Sequence, residues 1–196
     1  MSTRDLSYVA LFAAVTAVLG LVPAVPIGIS LVILQNLGPM LAGSVLGARR
    51  GALSQLLFVA LVAVGVPLLP AGGTLWTPFA GYVLAWPLAA LVVGWLTERF
   101  WTRYGLGRAV VANVLGGALL VDAVGAVVWG LAGNLSAGTA FVSGFLLYLP
   151  GDAGKAVVAS LVAVQVRHAY PVIQRRTAAR GAPAAAPDDR RPDPAR

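Results

Sequence analysis

The stretch "AFVSGFLLYLPGDAGKAVVASLVAVQVRH" (residues 140–168) decides how often the chain crosses a bilayer and on which side it ends. A crossing helix needs about 20 predominantly apolar residues. Residues 151–168 approach that length, with Asp152 and Lys155 at their head and Arg167 at their foot. Residues 140–149 are as apolar but only half as long. They predict a short helix lying in or dipping into the outer interface, after which Pro150 and Gly151 redirect the chain. A single crossing here keeps the arginine-rich C-terminus on the side that holds the other arginines.

The composition carries the same message. The chain is 59% hydrophobic and 11% charged, against about 25% charged in a soluble domain. Breaks at Pro, Gly and Arg divide it into six spans, at residues 6–22, 29–48, 51–66, 78–97, 108–131 and 151–168. Every arginine lies outside these spans or at their ends, whereas the loops 23–28, 67–77 and 132–139 hold no Lys or Arg. Positively charged loops stay on the cytoplasmic side. The expected fold is therefore an all-α integral membrane protein of six transmembrane helices, with both termini cytoplasmic and a short interfacial helix before the sixth. Residues 1–170 form one membrane domain, and residues 171–196 read as a disordered, basic, Pro/Ala-rich cytoplasmic tail. Tyr8, Trp101, Tyr104 and Tyr170 on the inner side, with Trp76, Trp129 and Tyr148 outside, fit two aromatic belts.

Several function classes drop out. Without cysteine there is no disulfide, thiol chemistry or cysteine metal site. The net charge of +7 sits where topology asks for it, so it does not argue for nucleic acid. No Walker A loop is present. The one histidine, His168, has no metal-ligand partner at useful spacing, so no metal site is expected. The halves lack the matched broken helices of inverted-repeat transporters. The inner two-thirds of the spans is too apolar for a channel.

The charges that remain inside are then informative. Between Arg108 and Arg167 the only charged side chains are Asp122, Asp152 and Lys155, the chain's single lysine. A charge at the bilayer centre costs about 2.5–3.5 kcal/mol on insertion scales, so it normally faces an interior or a wet cavity. At about 1.5 Å per residue, Asp152 lies roughly 22 Å above the inner boundary and Asp122 about 21 Å. Tyr82 comes to about 24 Å and Gln35 to about 21 Å. Four spans thus bring polar groups to one level in the outer third of the membrane, which predicts a substrate-binding site open to the outside. Asp152 and Lys155, at i,i+3, share a helix face and pair. Together they offer an acceptor and a donor to a ligand bearing both N–H and C=O groups. Asp122 is a site residue or a partner for Lys155. Gln35 and Asn36 are adjacent, and at about 100° per residue they cannot face one point, which favours Gln35. Trp86, one turn deeper than Tyr82, floors an apolar pocket or packs in the core. Asn113, near the inner boundary, is an interhelical hydrogen-bonding residue. On the first span, Ala10/Ala14 and Ala13/Ala17 make small-xxx-small pairs, the pattern that lets helices approach closely in lipid.

Three stretches carry a family resemblance: "LAGSVLGARRGALSQLLFVALVAVGVPLL", "PFAGYVLAWPLAALVVGWLTER" and, most specifically, "LPGDAGKAVVASL". They resemble the BioY family, the biotin-binding S components of energy-coupling factor (ECF) vitamin transporters, over residues 8–166. The resemblance implies a non-enzymatic subunit of a bacterial cytoplasmic membrane that captures biotin on the outer side and needs no cofactor. It also implies partners: a transmembrane T component and two cytoplasmic ATPases. In that picture Asp152 and Lys155 match a Pro-Gly-Asp-x-x-Lys motif that binds biotin's polar groups, with Gln35 and Tyr82 also at family positions. Ala10, Ala13, Ala14 and Ala17 resemble the face by which S components dock. The sequence departs from the family pattern at a shortened outer loop, "PAGGTLWTPFAGY", in the spacing of "VPI" from Gln35, and at Asp122. These departures keep another small vitamin or a heterocyclic precursor open as the ligand. A membrane enzyme using Asp122 and Asp152 as acid and base lacks the polar surroundings to orient a substrate. A purely structural scaffold is the remaining alternative.

Overall fold

Helix α1 (Thr3–Leu19) starts at a capping box: the Ser2 hydroxyl accepts from Asp5 N–H, and the Asp5 carboxylate accepts from Ser2 N–H. The computed structural model describes residues 1–23, 25–27, 30–169 and 172–173. The expectations for Tyr170 and for almost all of the tail lie outside the described residues. After α1 comes a two-stranded antiparallel hairpin, β1 (Val25–Ile27) with β2 (Ser30–Val32), in which Val25 pairs with Val32 and Ile27 with Ser30. A 3₁₀ turn, Leu34–Asn36, then leads into α2 (Leu37–Leu46). Gly47 turns the chain at φ 85°, where a side chain would be strained, and α3 (Ala48–Ala63) follows.

The second half is made of three longer helical runs. The first joins α4 (Ala80–Leu84) to α5 (Trp86–Arg99). The second joins α6 (Leu106–Asn113) to α7 (Leu120–Ala132) through a π turn at Val114–Leu119. The third carries α8 (Ala137–Thr139), a π segment at Ala140–Leu146 and α9 (Leu149–Ala169). These runs, of 20, 27 and 33 residues, are each long and apolar enough to cross a membrane. Among the described residues the protein is thus an all-helical membrane protein apart from one short hairpin.

One expectation changes. The second span, expected as a helix over residues 29–48, is α-helical only from Leu37. Ser30–Val32 pairs as a strand instead, and the β-branched Val32 and Ile33 suit an extended chain. The segment before the last helix is helical as expected, and only a two-residue turn, Leu147–Tyr148, separates it from α9. Pro150 occupies the first turn of α9, where its missing N–H needs no partner, and Asp152 N–H bonds to Tyr148 C=O at 3.0 Å.

The packing is that of a protein in lipid. Its buried positions are largely small, such as Ala89, Ala109, Ala112, Ala156 and Ala159, while Leu88, Leu91, Trp95, Val127, Val158 and Leu161 point outward. Small residues let helices approach closely where the surrounding medium is as apolar as the core. Buried polar groups join the helices as anticipated for Asn113, which accepts from Ser44 of α2 (3.1 Å) and donates to Ser160 of α9 (3.0 Å). Thr16 of α1 and Gln55 of α3 are similarly bonded, at 3.0 Å.

Candidate ligand-binding site

The helical runs enclose a cavity of about 370 Å³ at the end of the molecule away from Arg49, Arg103 and Arg108. That volume lies within the usual range for small-molecule sites. Gln35, Tyr82, Trp86, Asp122, Asp152 and Lys155 all line it, so the six residues singled out from sequence converge on one space.

Asp152 and Lys155 sit one turn apart at the head of α9 and form an ion pair buried on both sides. The other Asp152 oxygen accepts from the Asn36 amide at 2.5 Å, and Lys155 also donates to the Ile33 carbonyl at 2.9 Å. The start of α9 adds the positive end of its dipole beside the carboxylate. The pair is thereby held by the irregular chain in front of α2. A regular helix there would have used the Ile33 carbonyl internally.

Gln35 is fully buried and donates its amide to two backbone carbonyls, Thr16 at 3.1 Å and Leu68 at 2.7 Å. Tyr82 donates to the Gly144 carbonyl at 2.5 Å, and its ring lies 5.6 Å from that of Tyr148. The Tyr82 ring rests on Gly125 of α7, where any Cβ would overlap it. Trp86 packs 5.4 Å from Phe58 in the core and also forms part of the cavity wall. Asp122 is 1% exposed, and neither of its oxygens has a hydrogen-bond partner.

Three contributors escaped the sequence reading. Asn36 was set aside in favour of Gln35, yet both line the cavity, because the chain wraps the space in a 3₁₀ turn instead of a straight helix. Tyr148 was placed in the outer aromatic belt but reaches the cavity. The loop residues Leu69, Pro70, Gly73 and Thr74 cover one side and carry no charge that could have marked them. The small-residue face of α1 divides: Ala13 is buried near Phe58 and Val62, and Ala17 packs beside it, while Ala10 and Ala14 face outward.

A helical membrane protein whose one buried ion pair among the described residues opens on a ligand-sized cavity belongs to the class of membrane proteins that bind a single small molecule. Comparison with known proteins narrows this. The BioY family profile matches residues 1–172. A biotin transporter BioY of Rhizobium etli is 40% identical over 187 residues, covering 90% of this chain and all of the relative. A biotin transporter BioY of Rhodobacter capsulatus is 39% identical, over 86% of this chain and 95% of its own. The crystal structure of an S component for biotin from an ECF-type ABC transporter superposes with a TM-score of 0.78 at 30% identity, covering 86% of this chain and 95% of that one. The chain belongs to the BioY family.

Proposed function

We propose that the chain is the biotin-capturing S component of an ECF transporter in a bacterial cytoplasmic membrane. It crosses the membrane six times with both termini inside, and residues 1–170 form its single membrane domain. The cavity opens outward. The observation that carries this reading is the Asp152–Lys155 pair at the head of α9, buried beside unpaired polar atoms in an otherwise apolar cavity. Biotin has the matching form: a cyclic urea with N–H and C=O groups on an apolar body. Asp152 and Lys155 meet the urea, and Asn36, Gln35 and Asp122 surround it. Tyr82 and Trp86 supply apolar wall. The names of the relatives and of the solved neighbour support the choice of ligand. No group in the cavity is asked to make or break a bond. Energy for uptake comes from a T component and two cytoplasmic ATPases, docked on the outward Ala10/Ala14 face of α1, whose small side chains let a partner helix come close.

Calorimetric titration of biotin into detergent-purified protein, with wild type beside Lys155→Ala, tests this. Tight binding by wild type and a loss of at least about tenfold in the variant are expected, since the ligand loses a hydrogen bond from a charged donor, worth about 1.5–3 kcal/mol. A folded wild type that does not bind biotin would transfer the proposal to another vitamin.

A further inference from the structure

Counting the buried polar atoms of the cavity that have no partner gives a lopsided result. Gln35 Oε1, Asn36 Oδ1 and both Asp122 oxygens are buried and unpaired acceptors; on the donor side, Trp86 Nε1 is buried and unpaired, and the Thr77 and Tyr148 hydroxyls line the wall without a hydrogen bond among the described residues. The orientation of the amides is fixed by what their nitrogens do. The Gln35 amide nitrogen faces two carbonyls and that of Asn36 faces the Asp152 carboxylate, so neither group turns round without placing oxygen against oxygen. Asp152 is already engaged through both oxygens. Lys155 uses two of its three N–H bonds, on Asp152 and Ile33.

Buried polar groups are rarely left unsatisfied, and a dry carboxylate least of all. The groups on this wall therefore define what the ligand brings: N–H donors for the acceptors, and one C=O for the spare Lys155 proton. We propose that Asp122 is the specificity-determining residue of the cavity, accepting one ring N–H of the ligand beside the Asp152–Lys155 pair. This rests on reading the cavity as the biotin site. Asp122 adds an acceptor from α7 to those of the 3₁₀ turn before α2. It selects a ligand that donates at that edge and rejects an isostere carrying a lone pair there.

The probes are biotin and its two cyclic carbamate isosteres, each with one ring N–H replaced by oxygen. Each is titrated into wild type, Asp122→Leu and Asp122→Asn, with cooperative thermal unfolding in detergent as the check on folding. Wild type should bind one carbamate regioisomer at least about tenfold more weakly than biotin, as expected for a lost hydrogen bond to a charged group. Asp122→Leu should weaken biotin to a similar degree and bring that regioisomer to within about threefold of biotin, leaving the penalty on the other regioisomer in place. Asp122→Asn, whose amide can turn its N–H towards the ring oxygen, should shrink the same penalty if the leucine variant does not fold. Unchanged biotin affinity and unchanged carbamate penalties in a folded Asp122 variant overturn the assignment, while the biotin site stands. A folded wild type that ignores biotin takes down the site reading and this assignment together.

Discussion

Lys155 is held by a carboxylate and a carbonyl, and the charges neutralise one another where water does not reach them. A buried pair of this kind contributes little net stability, but breaking it by removing one partner is costly. Lys155→Met should therefore lower stability by about 3–5 kcal/mol, read as a fall in the thermal midpoint in detergent. The double variant Asp152→Asn, Lys155→Met should recover most of that loss, because no charge is left unpaired and Asn36 keeps a polar neighbour. It should still fail to bind biotin. A double variant as unstable as the single one would show that the pair matters through packing alone. At this scale much of the site was legible. Gln35, Tyr82, Asp122 and Asp152 sit on spans that run roughly along one axis, so counting residues from charged ends placed them at one level. Asn36 was lost because the 100° rule holds only inside a regular helix, and the chain there is a 3₁₀ turn. Tyr148 was lost because an interfacial tyrosine and a cavity tyrosine look alike in sequence.

The helices owe their arrangement to interruptions as much as to apolar runs. Asn113 and Asp122 are nine residues apart, which at 100° per residue would put them on opposite faces of one straight helix. Yet Asn113 is fully buried and Asp122 is 1% exposed. The π turn at Val114–Leu119 takes up the extra residue between them, so that both face inward at different levels. Asn113 there ties α6 to α2 and α9 through Ser44 and Ser160. Asn113→Leu should cost about 1–2 kcal/mol, since interhelical hydrogen bonds in membranes are modest. Biotin affinity should hold, because Asn113 does not line the cavity. A large fall in affinity together with the fall in melting temperature would mean that the inner joint shapes the outer site. Neither π turn was visible in sequence, since the apolar pattern on either side is compatible with an unbroken helix. The hairpin before α2 was hidden for a related reason: an apolar, β-branched run reads equally well as strand or helix end.

At the scale of the whole molecule, the ends differ in kind. The arginine end is tied together by charge and backbone: Arg50 meets Asp5 at 3.4 Å and the Val172 carbonyl at 3.1 Å. Arg167 donates to the carbonyls of Tyr104 and Trp101, with its guanidinium 4.3 Å from the Trp101 ring. The opposite end carries the apolar loops and the cavity. Placing the arginines inside gives a bound ligand one way in, from outside, and leaves the guanidinium-rich loops in contact with the anionic cytoplasmic leaflet. The absence of cysteine makes this orientation directly measurable. Ser136 and Arg103 are both exposed, Ser136 next to α8 and Arg103 in the turn between α5 and α6. In intact cells a membrane-impermeant maleimide should label Ser136→Cys but label Arg103→Cys only after the membrane is opened. The reverse pattern would invert the protein and place the cavity mouth in the cytoplasm, where it could not serve uptake. Labelling of both from outside would break the six-span count, because an odd number of crossings between the two positions' loops is what keeps them on opposite sides.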